Sequence, residues 1–247
     1  MKRTFADLHL LPNLRDIEKI KHMIRKEFEL GYRLIAISLP VNFSSERIQQ
    51  IQSICMDAQV DFASRLDLKP RTSRELISFL RKFRRKFEVI GVVCESKLVA
   101  RQAAKDRRVD LLSFPSLDFR RRFFDRAEAE LASKALASLE IEMKPLLIVE
   151  GSARIRLLSC LRKEVAIAQD LHVPMVISSG ASNRFLMRRP RELAALASVF
   201  DLDKPSALEA VSKNPMAIVK RNRDKLSSRF VAPGVRVVRR GKDCRKA

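Results

Sequence analysis

Three side chains at the ends of apolar runs are the candidates for metal chemistry. Asp7 and His9 lie in the first run, and Glu95 follows a later one. A two-metal phosphoesterase needs roughly seven to nine His, Asp and Glu side chains, because each ion takes several ligands and an orienting shell. The sequence contains three histidines in all. Asp7, His9 and Glu95 therefore form the one candidate set, for a phosphoesterase with unusual ligands.

Other reactive side chains are scattered. Asp67 and Glu140 stand alone, and isolated acids of this kind are more often partners of Arg or helix caps than ion ligands. His9 is favoured as a hydrogen-bonded side chain at a strand end. A metal hydrolase barrel would carry a second His two residues later, but position 11 is Leu. No Ser or Cys has a motif that brings a His beside it, so nucleophilic catalysis is not indicated.

The frame that must position these side chains is predicted from alternating apolar and amphipathic segments. Strand-like runs occur at residues 4–8, 34–39, 60–66, 88–94, 109–114, 139–143 and 174–178, with helical patterns between them. Such alternation predicts an α/β fold, an irregular (β/α) TIM-like barrel with seven or eight mostly parallel strands. Residues 199–201 are the candidate eighth strand. We expect a barrel with closing helices over residues 1–226 and a basic, partly disordered tail over residues 227–247.

The net charge indicates a polyanionic partner. Fifty Lys and Arg oppose twenty-nine Asp and Glu, and residues 213–247 alone carry twelve basic and two acidic side chains, a net charge of +10. Ligands of such barrels collect near the strand ends, and RNA phosphates are neutralised by Lys and Arg. Charge alone indicates a nucleic-acid or anionic-membrane partner, and we predict its contacts at basic residues near strand ends and on flanking helices. The predicted contacts are Arg65, Lys69, Arg71, Arg84, Arg107, Arg108, Lys134, Lys144, Arg184 and Arg188.

The remaining composition excludes several classes of protein. No apolar run is long enough to span a membrane, and residues 1–4 do not resemble the start of a secretory signal, so we expect a cytoplasmic protein without a membrane partner. The four cysteines form no Cys-x-x-Cys pair, which argues against a zinc ribbon. The chain has no Trp and one Tyr, so a platform for stacking the bases of a single-stranded nucleic acid is not indicated.

Several short motifs, in their order and spacing, resemble one family over nearly the whole chain. They are Phe5-Ala6-Asp7-Leu8-His9-Leu10, Val109-Asp110-Leu111-Leu112, Leu139-Glu140-Ile141, Val173-Pro174 before Ile177-Ser178-Ser179-Gly180-Ala181, Arg189-Pro190-Arg191-Glu192-Leu193, and Asn214-Pro215 with Arg221-Asn222-Arg223. The family is ribonuclease P protein component 3, the archaeal counterpart of the thirty-kilodalton eukaryotic subunit. Its barrel is related to the polymerase-and-histidinol-phosphatase metal barrels but lacks their ligands. The long basic tail after Leu226 departs from a minimal archaeal member.

The resemblance implies a subunit of the ribonucleoprotein endonuclease that removes the 5′ leader from precursor tRNA. It implies that catalysis and Mg²⁺ binding belong to the RNA, that this chain holds no cofactor and is inactive alone, and that its partners include ribonuclease P RNA, precursor tRNA, a small ferredoxin-like α/β subunit and other ribonuclease P proteins. Two alternatives stay open from the residues: the metal-dependent phosphoesterase described above, and a ribosomal or general RNA-binding protein.

Overall fold

The computed structural model describes residues 3–114, 122–232 and 234–238. Seven parallel strands form one sheet in the order of the chain, as predicted. The strands are β1 (Phe5–Leu10), β2 (Tyr32–Ser38), β3 (Asp61–Leu68), β4 (Val89–Val93), β5 (Leu111–Ser113), β6 (Ser138–Glu142) and β7 (Met175–Ser178). Each overlaps its predicted run, because buried parallel strands are nearly continuous apolar segments.

Helices follow the strands and cover the outside of the sheet. They are α1 (Ile17–Leu30), α2 (Ser45–Asp57), α3 (Ser73–Phe83), α4 (Lys97–Lys105), α5 (Arg126–Ala135), α6 (Lys144–Ile148), α7 (Gly151–Asp170), α8 (Pro190–Leu196), α9 (Lys204–Ala210) and α10 (Lys213–Leu226). The result is an α/β barrel of the TIM type, which confirms the predicted fold class. No helix in the described residues has the length and hydropathy needed to cross a bilayer.

The closing edge of the barrel is irregular, and the predicted eighth strand was wrong. Residues 197–200 form a 3₁₀ turn that Asp201 ends with a left-handed backbone, φ 62°. In the described residues β1 meets the segment just after β7 at one isolated bridge, Leu10 to Ala181. The segment before α10 fills part of the gap, since the Ala6 N–H donates to Val211 O at 3.0 Å.

Alternate residues of the strands face two buried clusters. Ile35 and Ile37 belong to the large cluster under the helices, whereas Leu34 and Ala36 belong to a smaller one that also includes Ile218 and Val219 of α10. Because successive strand side chains point to opposite faces, the smaller cluster is the barrel interior. Helix α10 therefore closes the N-terminal end of the barrel.

The C-terminal segment forms a short hairpin. Strand β8 (Phe230–Ala232) pairs antiparallel with β9 (Val235–Arg236), and the Arg236 guanidinium reaches Asp224 on α10 at 2.9 Å. Residues 233 and 239–247, which complete the predicted basic tail, lie outside the described residues, so partial disorder of that tail stays a prediction.

Candidate nucleic-acid interface

The C-terminal mouth of the barrel holds a buried guanidinium. Arg65 extends from β3 and is fully buried. Its Nη2 donates to Glu140 Oε2 and to Asp67 Oδ1, both at 2.7 Å, and its Nη1 donates to Leu8 O at 2.8 Å. Arg65 thus ties together three strands, β1, β3 and β6. It occupies the end of the barrel where enzymes of this fold bind their ligands.

The two carboxylates are ionised partners of this guanidinium. Burial opposes ionisation of Asp67, but the charges and hydrogen bonds of Arg65 and His9 together outweigh it, so the pKa of Asp67 lies well below its usual value. Burial and Arg65 oppose each other in the same way at Glu140, whose pKa is also lowered. Both acids are therefore partners of Arg, as the sequence favoured.

His9 lies beside the same carboxylates. Its Nε2 is 3.4 Å from Asp67 Oδ2, and its Nδ1 is 3.7 Å from Glu140 Oε1. Burial and Arg65 lower the pKa of His9, while Glu140 and Asp67 raise it, and the net direction is upward. Asp7 accepts from the backbone N–H groups of His9 and Ser179. These contacts hold the loops at the mouth together.

The candidate metal set does not converge. No group of three or more His, Cys, Asp and Glu side chains suited to an ion occurs in the described part of the chain. Glu95 is exposed after β4, whereas Asp7 and His9 are buried in β1. The space beside Asp67 is taken by Arg65 and by the backbone at Gly91, where an added Cβ would lie 2.5 Å from Asp67 Oδ1.

The structure removes Arg65 from the predicted RNA contacts. Its guanidinium has no exposed surface and is fully engaged by protein acceptors. Alternation in β3 placed it inside the barrel, and a buried, paired cation offers a phosphate no accessible donor. The error arose because the sequence does not show which way a strand side chain points.

The other predicted contacts divide between two ends of the barrel. Four follow the C-terminal ends of strands: Lys69, Arg71, Lys144 and Arg184. Four lie at the N-terminal end, where helices lead into strands: Arg84, Arg107, Arg108 and Lys134. Arg188 lies on the flank, and its Nη1 donates to the backbone oxygens of Phe185 and Met187 at 2.8 Å. The structure does not bring the predicted set into one site.

Two of the four N-terminal residues have structural partners. The Arg84 guanidinium binds Asp110 and donates to Phe87 O and Glu88 O at 3.0 and 2.9 Å. Arg108 forms two bonds with Asp106, to Oδ1 at 2.8 Å and to Oδ2 at 2.6 Å. By contrast, Arg107 and Lys134 are exposed, and within the described residues no carboxylate lies within 4 Å of either.

A cleft surrounds Arg107 between the α4–β5 loop, the C-terminal half of α10 and the β8–β9 hairpin. We call it the basal cleft. Its basic lining residues are Arg84, Arg85, Arg107, Arg108, Lys134, Lys220, Arg221, Lys225 and Arg236. Sequence reasoning did not select Arg85, Lys220, Arg221, Lys225 or Arg236 as contacts. The basic run after residue 213 was the available signal, but its placement on α10 against this end of the barrel was not visible.

The sequence contains a further basic segment, Arg120-Arg121-Arg122. The first two lie outside the described residues. Arg122 is buried and bound to Glu164 at both ends of its guanidinium, with Nε to Oε1 at 2.7 Å. Arg122 is therefore a structural residue between the α5 entry and α7.

These features define a class: a (β/α) barrel whose mouth is closed by an internal ion pair and whose exposed charge is basic. Within that class, the chain belongs to the ribonuclease P subunit p30 family, whose model matches residues 4–227. The family consists of ribonuclease P subunits, and the chain is a protein subunit of that enzyme. The match confirms the resemblance stated from the motifs and gives no support to the phosphoesterase or the general RNA-binding alternative.

Individual relatives agree with this assignment. Ribonuclease P protein component 3 of Methanosarcina barkeri is 31% identical over 213 residues, which cover 86% of each chain. The same component of Methanosarcina acetivorans is 36% identical over 158 residues, 64% of this chain and 66% of the relative. A chain in a cryo-EM structure of archaeal ribonuclease P with mature tRNA has the same fold, with a TM-score of 0.82, 24% identity, and coverage of 96% of this chain and all of the other.

Proposed function

We propose that this chain binds and stabilises the RNA of ribonuclease P through its basic surface, while that RNA and its bound Mg²⁺ cleave the 5′ leader from precursor tRNA. One observation carries the proposal. The barrel mouth is filled by Arg65 with Asp67 and Glu140, whereas exposed cations without carboxylate partners cluster elsewhere. A surface of this kind neutralises phosphates, and the described residues assemble no group of ligands for a metal ion.

The isolated chain is proposed to be catalytically inactive and to carry no cofactor of its own. The engagement of Asp67 and Glu140 by Arg65 supports this, because acids that are paired with a guanidinium are not free to hold an ion. The similar archaeal chain comes from a ribonuclease P structure that contains tRNA, which supports RNA and other ribonuclease P subunits as partners. A small ferredoxin-like α/β subunit as direct partner and a cytoplasmic location stay predictions.

Reconstitution tests the proposal. Precursor tRNA is added to three samples: the chain alone, the cognate RNA alone, and the RNA with both the chain and the small subunit. Cleavage is measured as the Mg²⁺ concentration is lowered. We expect no cleavage by the chain alone, and cleavage at lower Mg²⁺ when the proteins join the RNA. Cleavage of a phosphodiester by the chain alone, dependent on added divalent metal, would instead support the phosphoesterase. If the RNA needs the same Mg²⁺ concentration with and without the proteins, the result would contradict the stabilising role.

A further inference from the structure

We infer that the basal cleft is the part of this chain that holds the RNA, and that it takes a run of phosphodiester backbone between the α4–β5 loop and the β8–β9 hairpin. The inference rests on the proposed function, since it assumes that the chain binds RNA. It goes beyond it by choosing the N-terminal end of the barrel over the C-terminal end, where barrels of this type usually bind their ligands.

The charge of the basal cleft favours an anionic occupant. Nine Lys and Arg side chains line it, and Asp224 is the one acid among its described lining residues. Four of the nine are already paired: Arg84 and Arg221 with Asp110, Arg108 with Asp106, and Arg236 with Asp224. The other five have no carboxylate within 4 Å in the described part of the chain. These five are Arg85, Arg107, Lys134, Lys220 and Lys225.

The cations lie close enough to repel one another. Burial lowers the pKa of Lys225, and the charge of Arg221 lowers it further; Asp110 opposes this, and Arg84 and Arg107 add smaller lowering effects. A group of like charges held this close by a folded scaffold is stabilised when an anion enters it. The paired side chains are held in place by their carboxylate partners, and the unpaired side chains supply the positive charge that an anion can neutralise.

The shape of the basal cleft fits a chain of phosphates better than a single anion. It consists of two adjoining depressions that share Arg107, Lys225 and Phe230, so its cations follow a continuous track. The hairpin forms one wall and is anchored to α10 by Arg236 and Asp224. The family match ends at residue 227, so this wall lies beyond the matched segment.

The C-terminal end of the barrel is less suited to phosphates. Asp67, Glu140 and Glu142 collect at the mouth, and Arg65 offsets part of their charge from within. The exposed cations there follow different strands: Lys69 and Arg71 come after β3, and Arg184 after β7. These cations are therefore spread over separate loops, and the acids at the mouth reduce the positive charge near them.

Three full-length variants of equal charge change separate the two ends. The cleft variant is Arg107→Ala, Lys220→Ala, Lys225→Ala. The rim variant is Lys69→Ala, Arg71→Ala, Arg184→Ala. The control variant is Lys19→Ala, Arg25→Ala, Lys163→Ala, on helices α1 and α7. All nine side chains are exposed, and each variant loses three positive charges. The probe is the cognate ribonuclease P RNA, with binding measured from 50 to 500 mM salt and thermal unfolding recorded for each protein.

We expect the cleft variant to bind roughly tenfold to a hundredfold more weakly near 0.1 M salt and to have a log–log salt slope smaller by about 2.7, or about 0.9 for each lost phosphate contact. The rim and control variants should keep most of the affinity and slope, and all melting temperatures should stay close. If the rim variant loses binding and the cleft variant does not, the inference fails while the proposed function stands. Equal losses in all three variants would mean that only net charge acts, and would also overturn it. If the unmodified chain shows no salt-dependent binding of the RNA, the proposed function itself fails.

Discussion

The guanidinium of Arg65 donates hydrogen bonds to both carboxylate oxygens of Glu140 across the barrel, although the two residues are 75 positions apart in the chain. Both side chains are fully buried. The pair, extended by Asp67 and His9, closes the end of the barrel where related folds do their chemistry. The charges at the mouth of the barrel therefore pair with one another inside the protein, and the cations of the basal cleft lie on its outside.

Loss of Arg65 should strongly destabilise the barrel. Arg65→Met would leave Asp67 and Glu140 buried without a cation, and removing one partner of a buried ion pair costs about 3–5 kcal/mol. Arg65→Lys should cost less, because it keeps the charge but cannot make the paired bonds of a guanidinium. Urea unfolding measures both, with Arg25→Met on the surface as the control. A variant Arg65→Met as stable as the parent would show that the ion pair is dispensable.

At acidic pH, the free energies of unfolding of the parent protein and of Arg65→Met should differ less than at neutral pH. The lowered pKa values of Asp67 and Glu140 mean that the folded parent binds fewer protons than the unfolded chain. These two carboxylates contribute fully to the free energy of unfolding above the ordinary carboxyl pKa values, near pH 4. The contribution is lost as the pH falls through their lower pKa values in the folded protein. In the variant, both carboxyls are buried without a cation and gain stability on protonation. Urea unfolding between pH 7 and 3 tests this, and a gap that widens in acid would contradict it.

Gly91 should not tolerate a side chain. An added Cβ would lie 2.5 Å from Asp67 Oδ1 and 3.0 Å from Arg65 Nη2, so Gly91→Ala must displace the ion pair. Overpacking of this kind costs about 1–3 kcal/mol. Gly234→Ala is the comparison, since its methyl group would meet nothing within 4 Å and only its positive φ of 81° adds strain. Equal unfolding free energies for the two variants would argue against close packing at Gly91.

Glu27 on α1 should be replaceable with a gain in stability. It is fully buried, and neither of its carboxyl oxygens has a hydrogen-bond partner among the described residues. Burial, with a contribution from Asp7, raises the pKa of Glu27 well above its usual value. Folding then becomes less favourable as pH rises towards that folded value. Glu27→Met should stabilise the protein at pH 8 by about 1–3 kcal/mol, and by less at pH 5. Destabilisation at both pH values in urea unfolding would contradict this.

Arg84 and Arg107 should behave differently although both were predicted to contact RNA. Arg84→Ala removes the bonds to Asp110, Phe87 O and Glu88 O and leaves Asp110, itself buried, with less compensation, so we expect a loss of about 3 kcal/mol. Arg107→Ala should change the unfolding free energy by less than about 0.5 kcal/mol and weaken RNA binding. Thermal unfolding and RNA binding, measured on the same samples, separate the roles. A stable Arg84→Ala that binds RNA poorly would return Arg84 to the direct contacts.

Local sequence patterns were enough to predict the seven strands, the alternating helices and the basic surplus, because strand burial and helix amphipathicity produce a regular spacing of apolar residues. The family was also accessible, from motifs spread over the chain. The direction of the Arg65 side chain could not be predicted, because a basic residue between Ser64 and Leu66 is equally compatible with a position on the surface. Asp67 lies two residues further along the same strand, but Glu140 comes from β6, and only closure of the barrel brings Glu140 to Arg65. Closure of the barrel is also the reason that residues 197–200 form a turn instead of pairing as a strand. It places Lys220 and Lys225 of α10 at the same end of the barrel as Arg107. Contacts between residues far apart in sequence leave no local pattern, and tertiary packing alone sets them.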